Sequence, residues 1–300
     1  MISDEALERY RKAGRIVAHL RRTVPELVRE GVKVVDICEK VESTIVELGG
    51  RPAFPCNVGV NEIAAHYTSP FGDTSRVPNG SIVKVDFGAH VDGFIADSAI
   101  SVSLNPKLSP MVWTAEEALR KALEIVRPGI KASELGALIQ ATIERRGFKP
   151  IRNLTGHFVE RYTVHTGEAI PNVGSMVGGK LNVGQVCALE PFVTSRIAKG
   201  EVTDGDRAYI FRFSRRKGTD TEEGKRLIAH IEREFRTLPF ARRWLARLDW
   251  LRNAEATFAE LVKSRCVSGY PVLVERSGEP VAQAEHTVLI TESGCENLTA

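Results

Sequence analysis

The chain has 300 residues, 43% of them hydrophobic and 26% charged, which is a globular composition long enough for a large buried core in one or two domains. The formal net charge of +3 is too small to imply a general polyanion partner such as DNA, and no run of about 18 apolar residues offers a membrane span. Five cysteines without CxxC spacing argue against a disulfide framework and a thiolate zinc site; with a charged N-terminus that lacks an apolar signal core, they point to the cytoplasm.

In chain order, MISDEALERYRKAGRIV has the pattern of an amphipathic helix. Residues 24–50, VPELVREGVKVVDICEKVESTIVELGG, then align without a gap with residues 122–148, ALEIVRPGIKASELGALIQATIERRGF. Gly31 meets Gly129, Gly49 meets Gly147, and Glu26 through Arg29 meet Glu124 through Arg127. Each copy predicts a helix, a glycine break, a second helix and a glycine C-cap. Two copies are too few for a solenoid, so they predict two pseudo-symmetric halves of one domain.

After each helix pair the pattern changes to short strands, at 53–60, 81–88 and 94–103 and again at about 155–165 and 185–193. Residues 194–268 break this order with a polar start followed by helical patterns at 221–235, 240–248 and 253–265. Strand signals return at 270–276 and 284–291. The expected organisation is an α+β catalytic domain over 1–193 and 269–300, with a mainly helical insertion subdomain over 194–268. The insertion holds 17 Lys and Arg against 11 Asp and Glu, so it carries +6 and the rest of the chain −3. That excess reads either as a solvated helical surface or as a weakly basic docking face.

The segment KVDFGAHVDGFIADS predicts a β-hairpin with HVDG, residues 90–93, at its apex. An apex centred there places Asp86 directly opposite Asp97 on the same face. Their neighbours, among them Ile82, Val83, Val85, Phe87 and Ile95, are apolar. Two opposed carboxylates in such a strand pair repel each other and lose hydration unless a cation lies between them. His157, in NLTGHFVERYTVHTG, follows Gly156, and His165 lies an even eight residues on, which puts both imidazoles on one side of an extended strand. Glu190 in QVCALEPFVT and Glu285 in VAQAEHTVLI are carboxylates inside apolar strands, where an unpaired charge is costly. Four carboxylates and a histidine form one coherent set if they share two divalent cations, whose charge they cancel. Such oxygen and nitrogen donors accept Co, Mn, Fe, Zn or Ni. His66, in NEIAAHYTS, carries little information alone.

The motifs AFPCNVGVNEIAAHYTS, VKVDFGAHVDGFIADSA, LTGHFVERYTVHTG, ALEPFVT and QAEHTVLI, in this order, resemble the methionine aminopeptidases, specifically the type 2 class of archaea and eukaryotes. The likeness spans nearly the whole chain, and LPFARRWL within the insertion also looks like the type 2 pattern. Thr166 after His165, where Ala is expected, and Cys187 at the start of the Glu190 strand are small departures.

The resemblance implies the pita-bread fold, in which two pseudo-symmetric halves enclose a central site and a helical subdomain is inserted before the last ligand strand. It implies two divalent ions bridged by Asp97, Glu285 and a water or hydroxide, with Asp86 completing one metal site and His157 and Glu190 the other. Glu190 is also the expected general base, and Asp97 marks where the substrate α-amine binds. His165 is expected to stabilise the tetrahedral intermediate, and His66 to contact the scissile amide or its leaving nitrogen. Phe54, Val164, His165 and Tyr270 match the methionine pocket. The expected substrates are nascent polypeptides that begin with Met and carry a small second residue. The chain is expected to act as a monomer, with the basic insertion as a surface for ribosome docking. Two alternatives are another pita-bread peptidase of prolidase type and a non-catalytic ribosome- or RNA-binding relative. Asp86 comes too early in the chain to leave room for the large N-terminal domain of the former, and all five ligands are kept where the latter would lose some.

Overall fold

The computed structural model describes residues 2–175 and 178–300. The first half runs α1 (Asp4–Leu27), α2 (Val34–Glu47), β1 (Arg51–Pro52), β2 (Asn57–Val60), β3 (Ile63–Ala65), β4 (Ile82–Val91) and β5 (Phe94–Ser103). The second runs α3 (Ser109–Ile125), α4 (Ala132–Arg145), β6 (Lys149–Pro150), β7 (Thr155–Val159), β8 (Ala169–Pro171), β9 (Val186–Leu189) and β10 (Phe192–Thr194). There follow β11 (Val202–Phe213), α5 (Glu222–Phe235), β12 (Phe240–Ala241), α6 (Arg242–Leu245), α7 (Ala254–Lys263), β13 (Val267–Glu275), β14 (Val281–Gln283), β15 (His286–Ile290) and β16 (Cys295–Asn297).

The internal repeat is two helix pairs. Ser3 caps α1 by accepting from the Ala6 amide, and Asp4 and Glu5 complement the helix dipole in its first turn. Gly31 and Gly129 lie between the helices of each pair at φ +77° and +83°, and Gly49 and Gly147 follow the second helices at +80° and +81°. A side chain would be strained in that left-handed region, which is why the glycines of the repeat coincide. Each pair buries its apolar stripe on its own sheet. Val17, Leu20, Ile37 and Val41 meet Val83, Val85 and Phe87 in one core, and Leu119, Leu135 and Ile139 meet Phe158, Leu189 and Val288 in the other. Among the described residues no helix is long and apolar enough to cross a membrane.

The first half is built on the β4–β5 hairpin, with β1 and β2 on the other edge of β4. Its register corrects the sequence expectation. Asp97 faces Gly88 and Asp86 faces Ala99, so the two aspartates are diagonal neighbours rather than direct partners. The loop is Asp92-Gly93, both at positive φ, because this dipeptide suits the tight turn that matches strand twist. The two-residue displacement is even, so both aspartates stay on one face.

The second half contains the five-stranded order β16-β15-β9-β7-β8 and the smaller order β14-β10-β6. The runs holding Glu190 and Glu285 are not continuous strands. The first passes from β9 to β10 and the second from β14 to β15, and both change sheet at the same level. The two glutamates sit at these crossings. The two halves meet where Glu285 N donates to Ala99 O at 3.0 Å.

β7 ends at Val159, so His157 and His165 do not share an extended strand. The chain turns back through the Glu160–Thr163 bridge, and this return, rather than strand alternation, brings the two rings to 4.3 Å between centroids.

Within 194–268 the structure has α5, α6 and α7, but the polar start is a 12-residue strand, β11, paired along β13. A separate core built around Phe211, Phe240 and Phe258 holds this region together. It is tied to the first half by the buried Arg243, which pairs with Glu42 and donates to Thr68 Oγ1 at 2.7 Å. Trp244 Nε1 donates to the other oxygen of Glu42 at 2.8 Å.

Candidate active site

A cavity of about 350 Å³ opens between the two halves and the insertion. All ten residues singled out in the sequence line it: Asp86, Asp97, His157, Glu190 and Glu285, the histidines His66 and His165, and Phe54, Val164 and Tyr270.

Strand geometry and buried tethers position each acidic side chain. Asp97 N donates to Thr287 Oγ1 at 2.8 Å, and the same hydroxyl donates to Asp97 O at 2.7 Å. Arg21, from α1, donates to Ser98 Oγ at 2.6 Å, Ala99 O at 3.2 Å and Glu285 O at 2.8 Å, so one guanidinium ties the β5 segment after Asp97 to the backbone of Glu285. Lys84, two residues before Asp86 and 1% exposed, spends its ammonium on Asn61 O and Val281 O at 2.8 Å each. It thereby ties β4 to the start of β14.

The donor atoms converge. Asp97, His157 and Glu285 offer ligand atoms that all lie within 4.8 Å of one another. His157 Nε2 is 3.6 Å from Asp97 Oδ2 and 3.7 Å from Glu190 Oε1. These are longer than hydrogen bonds, but two ligands about 2.0–2.1 Å from a common tetrahedral ion stand roughly 3.3 Å apart.

The electrostatics of the bare side chains are unfavourable. Burial pushes the Asp86 carboxyl up to about 7. Burial, then the charge of Asp86, holds Asp97 well above the usual carboxylate range. Glu190 and Glu285 are raised by burial and then by Asp97 and their other acidic neighbours. Burial and then His165 push His157 down to about 3, which leaves it a neutral imidazole suited to a metal. Asp86 Oδ1, Asp97 Oδ1 and Glu285 Oε1 are buried and accept no hydrogen bond among the described residues. A divalent cation would satisfy these oxygens and reverse the repulsion, so the residues present fit a metal.

Around this centre, His66 Nδ1 lies 3.2 Å from Pro271 O. A carbonyl only accepts, so Nδ1 carries the proton and Nε2 keeps its lone pair. Burial lowers the His66 pKa, and burial followed by His66 and Arg212 pushes His165 down to about 4. Both rings are therefore neutral at pH 7. The His66 ring meets Tyr270 edge-on at 5.5 Å, and Phe54 and Val164 share an apolar cluster with Ile95 and Leu238.

Two residues at this centre escaped the sequence reading. Gln283 Nε2 lies 3.3 Å from both Glu190 Oε2 and Glu285 Oε2 and bridges the two glutamates. Its even spacing from Glu285 was a legible signal. Asn57 also lines the cavity, but a neutral amide in FPCNVGV breaks no charge rule.

Comparison with known proteins places this geometry. Residues 8–292 match the model for metallopeptidase family M24. The chain is 44% identical over 296 residues to the methionine aminopeptidase of Methanothermobacter thermautotrophicus, covering 98% of each. Among solved structures, the methionine aminopeptidase of Thermotoga maritima superposes with a TM-score of 0.72 at 25% identity, over 99% of this chain and 98% of that one. A thermophilic Arx1 superposes with a TM-score of 0.83 at 20% identity, over 99% of this chain and 91% of that one, a likeness of fold alone. The pita-bread architecture expected from the motifs is the fold of this chain.

Proposed function

The chain belongs to metallopeptidase family M24 and removes N-terminal methionine from polypeptides; from that premise we propose how its cavity does so. The observation that carries the proposal is the convergence of Asp86, Asp97, His157, Glu190 and Glu285, drawn from both halves of the chain, with Asp86 Oδ1, Asp97 Oδ1 and Glu285 Oε1 buried and without a hydrogen-bond partner among the described residues. These five residues would hold two divalent ions, the four carboxylates and the His157 imidazole being the donors. Co, Mn, Fe, Zn and Ni all suit such donors. When bound, the metals supply the Lewis acidity that acidifies a water and polarises the scissile carbonyl.

Glu190 takes the proton of the attacking water and passes it to the leaving amine. Gln283, donating to Glu190 and Glu285, keeps the two carboxylates at a fixed separation. His165, neutral and facing the cavity, donates to the oxygen that gains negative charge. His66 offers its free Nε2 to the scissile N–H. Phe54, Val164, His165 and Tyr270 enclose the methionine side chain, and the walls restrict the second residue to small side chains.

The substrates are nascent chains that begin with Met, the compartment is the cytoplasm and the working unit is a monomer. The basic excess over 194–268 provides ribosome docking. Co-sedimentation with ribosomes across a salt series tests this last point, and binding indifferent to salt or absent would remove it.

The direct test of the activity is hydrolysis of Met-Ala-Ser and Met-Pro-Leu beside Ala-Pro-Leu by metal-free enzyme with Mn²⁺ or Co²⁺ added back. Metal-dependent release of Met, with little release of Ala, is expected. Release without preference for Met would assign the site to a prolidase-like or broader peptidase.

A further inference from the structure

Asn57 opens β2 and pairs directly with Asp86 across the β2–β4 ladder, so the two side chains share one face. Both line the cavity, and Asn57 is 5% exposed. Its Nδ2 donates to Pro55 O at 2.9 Å, which turns the amide nitrogen back to its own loop and fixes which end of the side chain is left. That end, Oδ1, is buried and accepts no hydrogen bond among the described residues. Leaving such an acceptor unpaired is costly, because it has given up its hydration without a partner in exchange. An acceptor held this way beside a ligand cavity is matched by a donor that enters with the ligand.

The chemistry of the substrate narrows the donor. A peptide that enters by its N-terminal methionine brings two donor groups close to the scissile bond, the α-amino group and the scissile N–H. The thioether side chain brings none. The scissile N–H is matched by His66, whose Nε2 is the lone pair left after Nδ1 binds Pro271 O. The α-amino group remains, and Asn57 is paired with Asp86 on the side of the cavity where the acidic side chains gather.

We propose that Asn57 Oδ1 accepts a hydrogen bond from the substrate's free α-amino group, so that Asn57 is a binding residue that helps confine cleavage to the chain terminus. This rests on the aminopeptidase function of the cavity. An acylated terminus places an acyl carbonyl near Asn57 Oδ1 and the acids, acceptor against acceptor, and retains a single hydrogen. Discrimination against internal and blocked residues therefore has a specific component here, the loss of a hydrogen-bond donor to Asn57 Oδ1.

The test compares two probes that differ only in the amine, methioninol and 4-(methylthio)butanol, as competitive inhibitors of the metal-loaded wild-type and Asn57→Leu enzymes. Metal content and melting temperature are measured alongside. The variant is expected to bind methioninol about tenfold more weakly and 4-(methylthio)butanol within about twofold of wild type. The Asn57→Asp variant, which keeps an acceptor, is expected to retain the preference for methioninol. If Asn57→Leu loses metal or melts early, Asn57→Ala is read by the same ratio. Equal weakening of both probes, or of neither, would overturn the assignment of Asn57. A wild-type enzyme that itself fails to prefer methioninol would overturn the amine-binding site as a whole, a separate and recognisable failure.

Discussion

His157 Nε2 lies 3.6 Å from Asp97 Oδ2, although Asp97 belongs to the hairpin of the first half and His157 to a strand of the second. This cluster of candidate ligand atoms therefore exists only while the halves are closed on each other. A metal that binds this closed state and not the unfolded chain stabilises the fold by mass action. Mn²⁺ is expected to raise the melting temperature of the metal-free protein, and Asp97→Ala to abolish that increment. A variant that keeps the full increment would place the metal elsewhere.

The same increment should depend on pH. Burial raises the Asp86 carboxyl from its ordinary 3.8 to about 7, and burial followed by their acidic neighbours raises Asp97, Glu190 and Glu285 well above the usual carboxylate range. Raised acids favour the metal-free fold while they are protonated. That contribution is complete below the unfolded carboxylate range and is lost as pH climbs through the folded values. A metal needs the deprotonated forms, so binding releases protons and tightens as pH rises. Across roughly pH 6 to 8 the thermal shift produced by Mn²⁺ is expected to grow. The histidines and Lys84 titrate with or without metal and largely cancel in the difference. A shift that shrinks with pH would contradict the carboxylate set.

Glu190→Gln removes the proton acceptor while keeping size and one oxygen donor, and kcat is expected to fall by about 10²–10⁴. His165→Ala removes a hydrogen-bond donor but no metal ligand, so kcat is expected to fall by about 10²–10³ with metal content unchanged. Elemental analysis beside steady-state kinetics separates the two effects. Loss of metal in His165→Ala would reassign that ring.

The insertion is held by a charge, and this is a stability claim. Arg243 is 5% exposed and pairs with the buried Glu42, whose other partners are Trp244 Nε1 and the Cys56 amide. Arg243→Ala leaves Glu42 buried and uncompensated, and about 3–5 kcal/mol of stability is expected to be lost. Urea denaturation measures it, and a change below about 1 kcal/mol would show that the tie is dispensable.

The cluster of buried acids was legible because ionised side chains contradict their apolar surroundings. Glu190 between Leu189 and Pro191, and Glu285 after Ala284, are anomalous in any buried run. The repeat was legible because Gly31 and Gly129, and Gly49 and Gly147, answer the same backbone requirement. What was not legible depends on partners far along the chain. The hairpin register was displaced by two because the apex was centred on HVDG rather than on the Asp92-Gly93 turn. β11 was missed because its residues Thr203 to Arg207 are mostly exposed and polar, and only pairing with β13 makes them a strand. Gln283 and Asn57 carry no charge and so break no rule in an apolar run; the even spacing of Gln283 from Glu285 was the one signal it offered, and only a neighbour in space reveals Asn57.

The most direct measurement is the metal stoichiometry of the folded chain, by equilibrium dialysis against Mn²⁺ with elemental analysis of wild type, Asp97→Ala and His157→Ala. Two ions per wild-type chain at saturation, fewer in His157→Ala and none retained by Asp97→Ala, is the expected result. A single ion at saturation, or binding unaffected by either substitution, would contradict the shared two-metal centre.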